Sequence, residues 1–159
     1  MFSGRLTQAA IQAIDRIGNR GPERPAHLRI GRRGEEDAYF YLRRRGYVMV
    51  ARNHRTARHR GEIDLIGWDK DVLCFIEVKT RTTRDVKPAE AAVDRKKRGD
   101  LRTVIRDYLR TLPRRQFPEA PPWRFDVVTV YYDKVRSGSS DQRAVPPTFE
   151  LFQNAALSS

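Results

Sequence analysis

The chain has 159 residues, and Lys plus Arg outnumber Asp plus Glu by 32 to 20, for a formal charge of +12. That length suits one domain with a core and a short appendage, and the positive excess points to an anionic partner, nucleic acid ahead of a membrane, since no stretch approaches ~18 apolar residues. Cys74 is the only cysteine, so no intrachain disulfide can form, and Gln8, Gln12, Asp15 and Arg16 interrupt any secretory apolar run; a cytoplasmic protein is expected.

Phe2, Leu6, Ala9, Ala10, Ala13 and Ile17 recur at helical spacing before Gly18 to Pro25 break the pattern, so residues 1–30 read as an accessory helix and linker. Such a helix would serve a homodimer contact, a nucleic-acid arm or plain packing. The domain proper, 31–153, opens on a helix carrying Gly34, Ala38, Tyr41, Leu42 and Arg45 and closed by Gly46 as a C-terminal cap. At about 100° per residue Glu35 borders the inward stripe, whereas Glu36 points nearly opposite. Tyr47–Ala51 reads as the first strand, and residues 53–60 as a basic loop with Arg55, Arg58 and Arg60.

The next two strands, Gly61–Gly67 and Leu73–Thr80, carry charges where core strands should not. Glu62, Asp64 and Ile66 share one face of the first; Leu73, Phe75, Glu77 and Lys79 share one face of the second. A carboxylate and an ammonium two residues apart on a buried strand must be paired, hydrated or bound to something. Asp69-Lys70-Asp71 is a turn signal. A loop of two or four residues sets facing positions to sum to 141, with Asp64 opposite Glu77 and Glu62 opposite Lys79; a three-residue loop would put the acids on opposite faces. Two carboxylates across a ladder repel, so their pairing makes sense chiefly around a hard cation such as Mg²⁺.

A long helix is expected from Pro88 to about Leu112, its inward stripe running Ala89, Val93, Lys97, Leu101, Val104 and Tyr108. Lys97 interrupts that stripe, either snorkelling or aimed at a phosphate. Prolines 113, 118, 121 and 122 make a loop, Arg124–Tyr132 is a strand, and Thr148–Phe152 is a short last strand before the tail 154–159. Asp126 fits either the acidic site or a strand edge. His27, His54, His59 and Cys74 make no zinc spacing, and no Gly-rich phosphate loop precedes a Lys-Ser/Thr pair.

In order, Gly34-Glu35-x-x-Ala38, Gly46-Tyr47, Arg52-Asn53, Gly61-Glu-Ile-Asp-Leu-Ile66, Glu77-Val-Lys79-x-Arg81, Glu90-Ala-Ala-Val93 with Lys97, and Arg124-Phe-Asp126 resemble the YraN-like bacterial family. That family is in turn similar to the PD-(D/E)xK nuclease superfamily. The resemblance covers residues 31 to about 130 and leaves out the first 30. It implies an α/β fold with a restriction-endonuclease-like core: helix-strand-strand-strand-helix-strand, with a central mixed sheet flanked by helices. It also implies that Asp64, Glu77 and the Val78 carbonyl ligate Mg²⁺ or Mn²⁺, that Lys79 orients or deprotonates the attacking water, and that Glu35 completes the site from the helix. Arg81, Lys97, Arg55, Arg58 and Arg60 would hold backbone phosphates, most simply of DNA. Two functions follow: a metal-dependent endonuclease, with branched or structured DNA among its expected substrates, or a nucleic-acid-binding module that keeps the scaffold without turnover.

Overall fold

The computed structural model describes residues 26–82, 95–132 and 145–157; the accessory helix expected over 2–17 and the first turns of the Pro88 helix lie outside them. The elements are α1 (Ala26–Arg44), β1 (Val48–His54), β2 (Ile63–Asp69), β3 (Val72–Arg81), α2 (Arg95–Thr111), β4 (Trp123–Tyr131) and β5 (Thr148–Phe152). They build one five-stranded mixed sheet in the order β1-β2-β3-β4-β5, consistent with the restriction-endonuclease-like architecture. β1, β2 and β3 form an antiparallel meander. β4 returns parallel to β3, which requires the long crossover that contains α2, and β5 closes the sheet antiparallel to β4.

Among the described residues each face of the sheet carries one helix. Ala38 and Leu42 of α1 pack on Leu65, Cys74, Ile76, Val128 and Val130. Leu101, Val104 and Ile105 of α2 pack on Ile66, Leu73, Phe75, Phe125 and Val127. β3 and β4 are therefore covered on both sides, which is why their sequences are nearly continuous apolar runs rather than alternating ones. The β2–β3 hairpin turns on two residues, Lys70 and Asp71, with Lys70 in the left-handed region at φ 54°. Its pairs run from Leu65↔Ile76 to Asp69↔Val72, the register expected for a two-residue loop.

Several boundaries differ from the sequence reading. β1 runs on to His54 and so takes in Asn53 and His54, expected in the loop, because the ladder with β2 continues to the pair His54↔Ile63. α1 begins at Ala26 rather than near Gly31, because a helix absorbs a glycine at modest cost when its neighbours are good helix formers; it ends at Gly46 (φ 92°), whose amide bonds the Arg43 carbonyl. The segment after β5 also packs inward: the Ala155 amide donates to the Phe125 carbonyl (2.8 Å) and Leu157 joins the α2-side core. Among the described residues no helix is long and apolar enough to cross a membrane.

Candidate active site

Strand alternation puts Glu77 and Lys79 on the α2 side of β3 together with Phe75. On β2 the alternation breaks around Asp64, since Ile63 and Ile66 both join the α2-side core while Leu65 faces α1, and Asp64 is placed by its bond to β3. The ladder between the two strands is last paired at Leu65↔Ile76. One step beyond, the backbone bond gives way to a side-chain one: the Val78 amide donates to Asp64 Oδ2 at 2.7 Å. In an extended strand a residue's carbonyl points to the same edge as its amide, so the Val78 carbonyl faces the same gap. Glu77, with a side chain only 3% exposed, accepts from Lys79 Nζ at 2.6 Å through Oε1. The pairing required of a buried carboxylate and ammonium at i and i+2 is thus met within one strand. Glu62, which the register alone would set opposite Lys79, lies just before β2 and binds Arg55 instead.

Glu35 comes to this end of the sheet because α1 lies unusually close to β3. A Cβ built on Gly34 would fall 2.0 Å from Thr80 Oγ1 and 3.2 Å from Thr80 Cβ, so only glycine allows the contact. Glu35 Oε2 then accepts from Asn53 Nδ2 at 2.9 Å. Asn53 lies between the pairs Arg52↔Leu65 and His54↔Ile63, opposite Asp64 on the neighbouring strand, and takes φ 49°, a conformation that asparagine tolerates better than most residues. The Glu35–Asn53 link was not foreseen from the sequence; an asparagine at the end of a basic strand was the available signal.

Hard oxygen donors are what Mg²⁺ or Mn²⁺ take, and Mg²⁺ commonly uses one or two carboxylates and keeps several waters. Asp64, Glu77 and the Val78 carbonyl make a donor set of that kind. Among the described residues no three His, Cys, Asp or Glu side chains converge closely enough to hold a metal ion. Glu35 is accordingly held on Asn53 rather than gathered into a three-carboxylate cluster, and water would have to complete any coordination.

Asp126 belongs to the other face and a separate network. Its carboxylate is wholly buried and accepts from Arg124 Nε (3.0 Å) and the Asn154 amide (2.9 Å). Arg124 also reaches Asp69 (2.7 Å) and the Tyr47 hydroxyl (2.8 Å). Burial pushes the Asp126 carboxyl up despite that arginine, and burial pushes the Cys74 thiol up to about 12, so Cys74 is an inert core residue. Glu36, expected to point away from the stripe, is only 9% exposed, and Asp37 is 5% exposed. The arc of α1 that is buried is wider than a simple stripe because the far end of the sheet rises beside it. The Tyr132 hydroxyl donates to Asp37 Oδ2 (2.5 Å), and Tyr41 stacks on Phe149 at 4.4 Å.

The predicted phosphate-holding residues are placed unevenly. Arg58 and Arg60 are exposed, and Arg60 lines, with Arg55, Thr56, His59, Gly61 and Glu62, a cleft of about 410 Å³. Gly61, at φ 132°, brings this loop against Asp100 of α2 (3.3 Å from a built Cβ), and His59 Nε2 lies 3.2 Å from Asp107. Arg55 has its guanidinium engaged by Glu62 (Nε to Oε2, 2.9 Å). Arg81, two residues past Lys79, donates to the Thr80 carbonyl at 3.2 Å. The side chain of Lys97 lies outside the described residues.

The model of "Uncharacterised protein family UPF0102" matches residues 34–130. A UPF0102 protein of Koribacter versatilis is 58% identical over 129 residues, 81% of this chain and 86% of that protein. One of Solibacter usitatus is 50% identical over 100 residues, 63% and 73% of the two chains, and one of Chlorobium limicola 39% over 104, 65% and 76%. The matched span runs from Gly34, the glycine that seats α1 on Thr80, to Val130 near the end of β4, and so takes in Glu35, Asp64, Glu77 and Lys79; the chain belongs to the UPF0102 (YraN-like) family.

Proposed function

We propose that the protein is a metal-dependent nuclease that hydrolyses DNA phosphodiester bonds. The observation that carries this reading is the pair of contacts at the frayed end of the β2–β3 ladder, Val78 amide to Asp64 (2.7 Å) and Lys79 Nζ to Glu77 (2.6 Å). They hold two carboxylates and one ammonium at one end of the β2–β3 pair, beside a carbonyl turned to the same gap. Asp64, Glu77 and Val78 O are the donors that would bind Mg²⁺ or Mn²⁺. Bound there, the ion supplies Lewis-acid polarisation of a phosphoryl oxygen and lowers the pKa of coordinated water.

Lys79 spends one of its three N–H donors on Glu77. The other two can orient the attacking water and stabilise the negative charge that builds on the non-bridging phosphate oxygens. Glu35, held by Asn53, offers its carboxylate to a water at the rim, and its second oxygen can take the proton that the water gives up. Arg58, Arg60 and Arg81 hold flanking phosphates, contacts that give affinity without reading sequence.

A second reading, a nucleic-acid-binding module without turnover, draws on the same contacts: Asp64 and Glu77 already have partners within the protein, and no third acid joins them among the described residues. The two separate on a panel of linear, single-stranded, flapped and four-way DNA incubated with Mg²⁺ or Mn²⁺, comparing wild type with Asp64→Asn and Lys79→Ala. Metal-dependent cutting that both substitutions abolish supports the nuclease. Cutting that survives both belongs to a contaminant, and binding with no cutting under any condition favours the module.

A further inference from the structure

Between Asp37 and Glu62 the chain has seven arginines, at positions 43, 44, 45, 52, 55, 58 and 60, and no acidic residue. The second half of α1, the edge strand β1 and the loop after it are therefore positive throughout. α1 and β1 meet along this stretch in two successive contacts. The first is Glu35 with Asn53 at the acidic site. One helical turn on, about 6 Å along the axis, Arg52 lies over the Tyr39 ring with its guanidinium carbon 5.1 Å from the centroid. Arg43, a further turn along α1, lies over the same ring at 5.9 Å. Both arginines are exposed.

We infer that Arg52 and Arg43, ordered on Tyr39, form a phosphate-binding track that carries one strand of nucleic acid away from the acidic site along the β1 edge, on the side opposite the 55–60 loop. The inference deepens the nuclease reading and rests on it for the strand's passage through the site. A guanidinium resting on an aromatic face loses less freedom when it binds an anion than one waving in solvent, and it keeps its planar fork of donors free for phosphate oxygens. An unrelated basic surface would not start at the residue adjoining Asn53, nor would its arginines share one ring. With arginines on both sides of Asp64 and Glu35, the strand continues past the reacting phosphate in both directions. The substrate is therefore cut within a chain rather than nibbled from an end.

The test is fluorescence anisotropy of a labelled oligonucleotide, single-stranded or annealed, titrated in EDTA so that turnover plays no part. Arg43→Gln and Arg52→Gln should each weaken binding about 3- to 8-fold at roughly 50 mM NaCl and reduce the steepness of the log–log salt dependence by about 0.7 for the single strand. Tyr39→Leu, which keeps both charges and removes the ring, should weaken binding with the salt slope unchanged. Arg115→Gln, an exposed arginine after α2, should match wild type. The track is overturned if Arg43→Gln and Arg52→Gln bind with wild-type affinity and slope. If Arg58→Gln and Arg60→Gln still lose affinity in that case, the nuclease reading survives without it. Failure of wild type to bind any oligonucleotide overturns both.

Discussion

Replacing Gly34 by alanine tests the contact that brings Glu35 to the site. A new Cβ would sit 2.0 Å from Thr80 Oγ1, and rotating that hydroxyl away still leaves the two Cβ atoms 3.2 Å apart, so helix and strand must part by some tenths of an ångström. Overpacking of this kind costs about 1–3 kcal/mol. Against it stands the gain of about 1 kcal/mol that alanine brings to a helix interior. Gly31 isolates the second effect: it lies in the same helix, and nothing lies within 4 Å of its built Cβ. In urea denaturation Gly31→Ala should stabilise by up to about 1 kcal/mol, while Gly34→Ala should fall about 1–3 kcal/mol below it, a melting difference of roughly 2–10 °C for a domain of this size. Adding Thr80→Gly removes the hydroxyl, the methyl and the Cβ together, so a double-mutant cycle should return about 1 kcal/mol or more of favourable coupling. Equal stabilisation by Gly31→Ala and Gly34→Ala, or a cycle that closes additively, would refute the close approach.

Three further outcomes follow from the site and the core. Lys79→Ala takes the cation from a carboxylate only 3% exposed, and should cost about 2–4 kcal/mol by urea denaturation; Glu77→Gln in that background should recover part of the loss, and a double variant no more stable than the single one would count against the pairing. Asp64→Asn keeps an oxygen acceptor for the Val78 amide and should change stability by under about 1 kcal/mol, where Asp64→Ala costs about 1–2. The same Asn variant should lose the thermal stabilisation by Mg²⁺ or Mn²⁺ expected of wild type, about 2.7 kcal/mol at an ion concentration one hundred times Kd. Finally, Cys74 is raised from 9.0 to about 12 by burial. The unfolded thiol loses its proton first, so stability present below pH 9 is lost as pH rises towards 12. Cys74→Ala should flatten that alkaline limb by about 1.4 kcal/mol per pH unit; identical slopes by pH-dependent denaturation would contradict the burial.

Much of the sheet was legible because its signals are local. Period-2 alternation put Glu77 and Lys79 on one face of β3, and the turn signal Asp69-Lys70-Asp71 foretold the hairpin while leaving its length open; the structure sets the loop at two residues, with Leu65↔Ile76 and Asp69↔Val72 in register. Gly46 was recognisable as a cap since a left-handed position favours glycine. Asp126 was undecidable from the sequence, because the face a β4 residue takes depends on how a strand reached through a long crossover registers with β3; pairing Ile76↔Asp126 puts it on the α1 side with Arg124. Glu36 was misjudged for a related reason, since periodicity describes one helix and says nothing of Tyr132 and Phe149 rising beside it.

What the amino-acid order by itself determined was the order of elements among the described residues, the alternation of side chains along β3 and the excess of basic residues over acidic ones. Those properties depend on dihedral preference, side-chain alternation and charge, which act within a few residues. Only the tertiary structure decided that Glu35 rests on Asn53, that Arg55 is engaged by Glu62, and that Arg43 and Arg52 share the ring of Tyr39. Such contacts join segments whose separation is set by the packing of α1 on the sheet, and that distance was settled by the missing side chain of one glycine against Thr80.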